Sequence, residues 1–391
     1  MAILVFNAGS SSLKFKLYER HPDGGTMRSF VRGAVSRLGE RAEWSWEAAG
    51  ERARGTAPVR GHGEAAAFVL DRLAAAATSI DAIGHRLVHG GEEFTEAARL
   101  DAAAIARLEA LAALAPLHNP PALEVVRACR DALGEGVPMV GVFDTAFHAS
   151  LPETAYRYAL PDAWVRAHGI RRYGFHGIAH RYMYERYLAL SGRSRARVVS
   201  FQLGHGCSAA AVRDGRPLDT SMGYTPLEGL VMSTRCGDVD PGALVRVAAA
   251  GVPAAEIEDA LNRASGLLAL SGTSADMRTL LEREAQGDAR ARLAIDAFCH
   301  RARKYLGAYL AVLAGADAVL FGGGIGEHAP AVRARICAGM AWCGLRLDDA
   351  ANAGAVGRDR RISADDAALA AYVIAVDEEA LIAREVLRLL G

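Results

Sequence analysis

Apolar positions run unbroken from Ala2 to Phe6, give way to Asn7-Ala8-Gly9-Ser10-Ser11-Ser12, and resume by alternation at Leu13, Phe15 and Leu17, with Lys14 and Lys16 on the other side. Period-two order on both sides of a small polar loop predicts a β-hairpin. The device returns in mid-chain, where Val198 to Leu203 passes through Gly204-His205-Gly206-Cys207-Ser208 into Ala209 to Val212 and the turn Arg213-Asp214-Gly215. A third strand-like run, Ala318 to Phe321, meets Gly322-Gly323-Gly324-Ile325-Gly326-Glu327 ahead of a helical stretch. Between these lie helical patterns at Glu64–Thr78, Asp101–Ala113, Pro120 to about Leu133, Gly177–Leu190, Gly242–Ala250, Ala254–Ala264, Ala275–Glu284 and Asp288–Ala314. Ala82–Val88 and Val137–Phe143 read as strands, and Asp377–Leu390 as a final helix with an acidic first turn. Arg20–Gly63 is expected to be β-meander and loop, Tyr156–Tyr173 irregular, and Ala367–Val376 fits helix or strand equally. The alternation is that of an α/β protein.

The loops suggest chemistry. The first offers the Asn7 amide, the hydroxyls of Ser10, Ser11 and Ser12, unhindered backbone N–H groups and the nearby Lys14, which are groups that hold a phosphate. An ordinary polar turn is the competing reading for that loop alone. Two such hairpins, one opening each half of the chain, suggest a duplicated fold with a nucleotide between its halves. The glycines of the third loop let backbone approach a ligand closely, although the loop lacks the Gly-Lys-Ser/Thr of a Walker motif.

Composition narrows the class. A chain of 391 residues is expected to form about two domains with a substantial core. Its 45 Lys and Arg balance 45 Asp and Glu, so charge favours neither nucleic acid nor an anionic membrane as partner. The N-terminus has no signal-peptide pattern and no apolar run approaches a bilayer span, so a soluble, cytoplasmic protein is expected. Six scattered cysteines show no metal-type spacing and read as buried thiols, except that Cys207, in an anion-type loop, is expected to have a lowered pKa.

Further polar residues stand in constrained settings. Arg86 lies in Gly84-His85-Arg86-Leu87-Val88-His89-Gly90-Gly91, His118 in Leu117-His118-Asn119-Pro120-Pro121, and Asp144 ends a buried strand, where open α/β sheets place ligands. His176 is flanked by glycines in Tyr173-Gly174-Phe175-His176-Gly177, and Arg235 sits in Thr234-Arg235-Cys236-Gly237-Asp238. Taken singly, each has an ordinary structural reading as a hydrogen-bonded or ion-paired residue.

Taken in order, NAGSSSLKF, GHRLVHGGE, LAPLHNPP, VFDTAFH, YGFHGIAHRY, TSMGYTPLEGL, TRCGDVDPG and GIGEH resemble the motifs of the acetate kinase family, from residue 2 to about 388. The resemblance implies a duplicated fold of the acetate and sugar kinase, Hsp70 and actin type, with residues 1–147 and the helix 377–391 as one domain, residues 148–376 as the other, and nucleotide in the cleft. It implies reversible transfer of the ATP γ-phosphoryl to acetate or propionate, giving acyl phosphate and ADP with Mg²⁺ or Mn²⁺, by a homodimer. By the same resemblance Arg86, Arg235, His176 and His118 serve the transferring phosphoryl, and Asn7, Asp144 and Glu378 hold the metal directly or through water. Val88, Leu117, Phe175 and Pro226 form the acyl pocket. Asp276, Met277 and Arg278 meet the nucleotide base, and Gly323, Gly324 and Ile325 meet the adenosine.

One loop departs from the pattern. Gln202, His205 and Cys207 stand where the family usually has His, Asn and Ser around Gly204 and Gly206, and Gly323 replaces a common Ala. The altered phosphate loop keeps two alternatives open: the same fold with a longer acid or pyrophosphate, and a nucleotide-binding regulator without catalysis.

Overall fold

The first hairpin forms where the alternation places it: β1 (Ala2–Ala8) and β2 (Ser12–Arg20) pair antiparallel, Asn7 opposite Lys14. The structure is a computed structural model that describes residues 1–9, 11–20, 27–111 and 119–391. Ser10, Leu117 and His118 therefore lie outside the described residues.

The chain divides into two compact units, Met1–Ala149 with Asp377–Gly391, and Ser150–Val376. In the first, β3 (Met27–Ser36), β4 (Gly39–Ala48) and β5 (Glu51–Val59) extend the hairpin as the expected meander. On its other side β1 pairs parallel with β6 (Ala82–Leu87), and β6 with β8 (Met139–Phe143). The edge strand β7 (Ala98–Arg99) completes the order β5-β4-β3-β2-β1-β6-β8-β7. Helices α1 (His62–Ala75), α2 (Ala102–Ala110) and α3 (Asn119–Leu133) contribute Val69, Leu70, Leu73, Leu108, Leu123 and Val126 to the core.

The second unit repeats the plan. Short helices α4 (Glu153–Tyr156) and α5 (Asp162–His168) precede α6 (Gly177–Ser191). The expectation of an irregular Tyr156–Tyr173 is thus corrected: α5 forms after Pro161 and stops at Gly169, whose φ of 59° ends a helix readily. Strands β9 (Arg197–Leu203), β10 (Cys207–Arg213) and β11 (Arg216–Thr220) form an antiparallel meander, and Asp214 and Gly215 both have positive φ in the last turn. There follow α7 (Pro241–Ala249), α8 (Ala254–Arg263), α9 (Gly266–Ser271), α10 (Met277–Ala285) and α11 (Ala289–Val312). Next come β12 (Ala318–Gly322), α12 (Gly323–His328), α13 (Pro330–Cys337), α14 (Asp349–Gly354), β13 (Arg360–Arg361) and β14 (Ala370–Val373). The sheet order is β11-β10-β9-β12-β14-β13, with β9–β12 and β12–β14 parallel. The run β3-β2-β1-β6-β8 and the run β11-β10-β9-β12-β14 are therefore the same arrangement, a meander joined to parallel strands. That is the duplication the two hairpins announced. β14 settles the ambiguous segment as strand, because its pairing with β12 satisfies a backbone that sequence preference leaves undecided.

The last helix, α15 (Glu378–Leu390), returns to the first unit, with Asp377 accepting from Ala380 N as its cap. It buries Leu381, Ile382 and Val386, about 1.5–3 kcal/mol each. A side chain at Gly84 would stand 2.6 Å from Ile382 Cγ2 and 2.9 Å from Val386 Cγ2, so glycine lets this helix close on β6. No helix among the described residues is long and apolar enough to cross a membrane.

Two histidines of the first unit are buried without charge. His85 stacks on Phe6 with ring centroids 6.1 Å apart, and its Nε2 has no hydrogen-bond partner among the described residues. Burial pushes its pKa down to about 3, and that of His89 to about 4. The unfolded chain, with imidazoles near 6.5, then binds more protons than the folded one below that pH. Stability should be complete above pH 6.5 and fall between pH 6.5 and about 3, by about 4 kcal/mol on reaching pH 5. Urea unfolding across this range would show it, and His85→Leu should halve the slope. A flat profile would refute the account.

Candidate active site

In the first unit the expected Arg86, Asn7, Asp144 and Glu378 come together at the strand ends. Arg86 Nε and Nη2 both donate to Asp144 Oδ2, at 3.2 and 2.6 Å, and Nη1 donates to Asn7 Oδ1 at 3.0 Å. Although burial works against its charge, Asp144 and Glu378 raise the Arg86 pKa further above its ordinary value. The Asn7 amide donates to Glu378 Oε2 at 2.9 Å and Glu379 Oε1 at 2.8 Å. Glu379, which the sequence reading missed, also pairs with Lys16 at 3.2 Å, and Lys16 meets Asp377 at 2.8 Å. Lys16 thus ties α15 to the hairpin, while Lys14 is exposed on β2 and Ser12 half-buried beside it. Both Arg86 donors on the Asp144 side reach one oxygen, so the other, Oδ1, is buried with no partner among the described residues.

In the second unit two side chains, Arg235 and His176, converge on Gly206. A Cβ on this glycine would stand 3.3 Å from Arg235 Nη1 and 3.5 Å from His176 Nε2, so a larger residue would intrude between the two donors. Arg235 is half-buried, its guanidinium makes no hydrogen bond or ion pair among the described residues, and burial lowers its pKa. A desolvated guanidinium without an anion is costly and is primed to receive one. His176 begins α6 in a left-handed conformation, φ 56°, strained for a residue with a side chain. Its Nδ1 lies 2.9 Å from Ser208 Oγ.

The divergent loop sits beside these groups. Cys207 is fully buried and its thiol is raised to about 12 by burial, against the expected lowering; the Gly204 carbonyl and the Arg235 cation act in the lowering direction but lose to desolvation. His205 is exposed, and burial of part of its ring followed by the Arg235 cation lowers its pKa. Gln202 Oε1 is buried without a partner among the described residues. Gly323 has φ 76°, and a Cβ there would stand 2.6 Å from the Leu203 carbonyl oxygen and 3.0 Å from Gln202 Nε2. Alanine would be strained at this position as it stands in this chain. Glu327 fastens the loop by accepting from Gly323 N at 3.0 Å and Val376 N at 3.2 Å.

A cavity of about 830 Å³ adjoins the loop, lined by Gly204, His205, Ser233, Asp276, Met277, Arg278, Gly324, Ile325 and His328 among others. Of the residues expected at the base and adenosine, Asp276, Met277, Arg278, Gly324 and Ile325 line this space, whereas Gly323 does not. Met277 is buried, Arg278 is exposed, and Asp276 caps α10 by accepting from Thr279 N at 2.9 Å. Arg333, beneath this region, is a fully buried cation whose guanidinium donates to the carbonyls of Gly326, Glu327, Asn352 and Ala355 and to Asn352 Oδ1. It satisfies the free C-terminal end of α12 and so holds the glycine loop in place. Of the expected acyl-pocket residues, Val88 and Phe175 are buried and Pro226 is half-buried.

Comparison with known proteins agrees with this geometry. The profile of the Acetokinase family matches residues 2–384. The acetate kinase of Solibacter usitatus is 48% identical over 406 residues, covering 99% of this chain and 98% of its own. The crystal structure of Porphyromonas gingivalis acetate kinase superposes with a TM-score of 0.91 at 39% identity, covering 100% of both chains. That of a propionate kinase from Francisella tularensis superposes with a TM-score of 0.91 at 37% identity over 98% of each. By profile, sequence and fold alike, the chain belongs to the acetokinase family.

Proposed function

We propose that this protein is a short-chain carboxylate kinase that moves the γ-phosphoryl of ATP reversibly to acetate or propionate, giving acyl phosphate and ADP. The observation that carries this reading is the unpaired, half-buried Arg235 beside His176 Nε2 at Gly206, next to a cavity of nucleotide size. Phosphoryl transfer demands little covalent chemistry from the protein. It needs charge neutralised on the equatorial oxygens and the reactants held in line. Arg235 can offer a two-pronged fork to those oxygens, and His176 Nε2–H a single donor. The nucleotide is assigned to the cavity of the second unit, its adenosine against Gly324 and Ile325 and its base against Asp276 to Arg278. By the family resemblance Arg86 is assigned to the carboxylate, Val88, Leu117, Phe175 and Pro226 to its apolar end, and His118 to the transferring phosphoryl.

The donors of the first unit fit a divalent cation. No cluster of three or more His, Cys, Asp and Glu arranged around a metal occurs among the described residues, but Mg²⁺ takes one or two carboxylates and completes its shell with water and substrate phosphates. The orphaned Asp144 Oδ1, with Glu378 and Asn7 beside it, supplies such oxygens. When bound, Mg²⁺ or Mn²⁺ would neutralise phosphate charge. Helices α7 and α8 bury none of their residues, and Val239, Val245 and Val247 are exposed. We assign this face to a homodimer, so sedimentation should give twice the 41.3 kDa chain mass, and Val245→Glu should halve it. An ATP-using enzyme with six free thiols belongs in a reducing, nucleotide-rich compartment, the cytoplasm.

Trapping of acyl phosphate with hydroxylamine tests the reading, using acetate, propionate and butyrate, each with Mg-ATP and with Mg-pyrophosphate. Hydroxamate from acetate or propionate with ATP is expected. None from folded protein that binds nucleotide would refute it. The loop substitutions should tune the donor: Gln202→His with His205→Asn is expected to tighten ATP about 10-fold, as a charge-assisted bond replaces a neutral one, and to leave AMP unchanged. Equal affinities for ATP before and after would remove the idea.

A further inference from the structure

The proposed transfer leaves unused a buried chain of hydrogen bonds behind His176. His176 Nδ1 lies 2.9 Å from Ser208 Oγ, Ser208 Oγ lies 2.8 Å from His180 Nε2, and His180 Nδ1 lies 2.7 Å from Ser200 Oγ. Ser200, Ser208 and His180 are completely buried. The elements explain the line-up. His176 and His180 stand one turn apart at the start of α6, with His180 N donating to the His176 carbonyl, while Ser200 and Ser208 come from the neighbouring strands β9 and β10.

We propose that Ser200, His180 and Ser208 are positioning residues that fix Nε2 as the proton-bearing nitrogen of His176, so that it faces the transferred phosphoryl as a donor. This rests on the assignment of His176 to that phosphoryl. The argument is one of proton counting. Ser208 carries one hydroxyl proton between two imidazole nitrogens, so it accepts from one ring and donates to the other. The chain therefore has two orders. In one, Ser200 donates to His180 Nδ1, His180 Nε2–H donates to Ser208, and Ser208 donates to His176 Nδ1. The proton of neutral His176 is then on Nε2. In the other, all three bonds are reversed, His176 Nδ1–H donates to Ser208, and Ser200 accepts from His180.

Ser200 decides between them. His180 is the one side-chain hydrogen-bond partner of its hydroxyl among the described residues. In the reversed order the buried Ser200 O–H has nothing to donate to, a cost that the first order avoids. An imidazolium at His176 requires the reversed bond to Ser208 and meets the same cost. The buried serine, separated from His176 by two side chains, thus sets the direction of every bond in the chain.

The test combines kinetics with ¹⁵N NMR of histidine-labelled full-length protein, in which pyrrole-like and pyridine-like ring nitrogens are distinguished. Wild type is expected to show a pyrrole-like Nε2 and a pyridine-like Nδ1 at His176. Ser208→Ala should lower kcat by about 10²-fold, the effect of losing one oriented donor, with KM for ATP and carboxylate unchanged, and should mix the two tautomers. Ser200→Ala should mix them too, with a smaller loss of kcat. His180→Gln, whose amide can donate to Ser208, should retain more activity than His180→Leu, and either variant serves if Ser208→Ala fails to fold. A wild-type Nδ1–H tautomer, or Ser208→Ala and Ser200→Ala that keep the wild-type tautomer, would overturn the proposal. The NMR result holds whether or not acyl phosphate is made, so failure of the kinase reading and failure of the chain are separate outcomes.

Discussion

Arg235→Ala should lower kcat by about 10³- to 10⁵-fold, the range for an arginine that meets transition-state phosphoryl charge, and should leave the fold at least as stable as before. The second half of this expectation separates a functional from a structural arginine. The Arg235 guanidinium has no hydrogen-bond or ion-pair partner among the described residues, so removing the side chain breaks no such bond and relieves a desolvated charge. Other arginines of the chain are anchored: Arg333 by five backbone and side-chain acceptors, Arg86 by Asp144 and Asn7. Arg235→Lys keeps the charge but loses the fork, and should recover little of the turnover. Denaturation midpoints and kcat measured on the same preparations would decide. A variant that loses stability while keeping activity within tenfold would return Arg235 to a structural role.

Asp144 should show the opposite combination. Asp144→Ala leaves Arg86 with Asn7 and with Glu378 at 3.9 Å, and breaking a buried pair from one side costs about 3–5 kcal/mol. Activity and stability should fall together. Asp144→Asn retains the volume and the contact to Arg86 but removes the charge beside the orphaned Oδ1. It should therefore fold better than the alanine variant, lower kcat by about 10²-fold or more, and raise the Mg²⁺ concentration needed for half activity. The discriminating result is the metal dependence. If Asp144→Asn has wild-type Mg²⁺ dependence, the orphaned oxygen is not a cation ligand and the carboxylate serves Arg86 alone.

Both predictions use residues that local sequence brought to notice, but their contrast was not legible there. Alternation around Asn7 and around Gly204 determined two hairpins, because strand periodicity is a local property that any one face must keep to be buried. The duplicated α/β plan followed, as did the helices with clear caps such as Asp288 and Asp377. So did the ordered motifs that carry family membership. Tyr156–Tyr173, expected irregular, holds α5, and Ala367–Val376 reads equally as helix or strand in the sequence, since short elements are decided by what they pack or pair with. Only tertiary structure showed that Asp144 spends one oxygen on Arg86 and leaves the other unpartnered, that Arg235 stands without an anion, and that Cys207 is pushed towards the neutral thiol by burial rather than towards thiolate by positive charge. It also joined Ser200, Ser208, His180 and His176, which are drawn from two strands and a helix, into one hydrogen-bonded chain. Hydrogen-bond partners and desolvation depend on groups distant in sequence, and no local pattern of hydrophobic and polar residues encodes them.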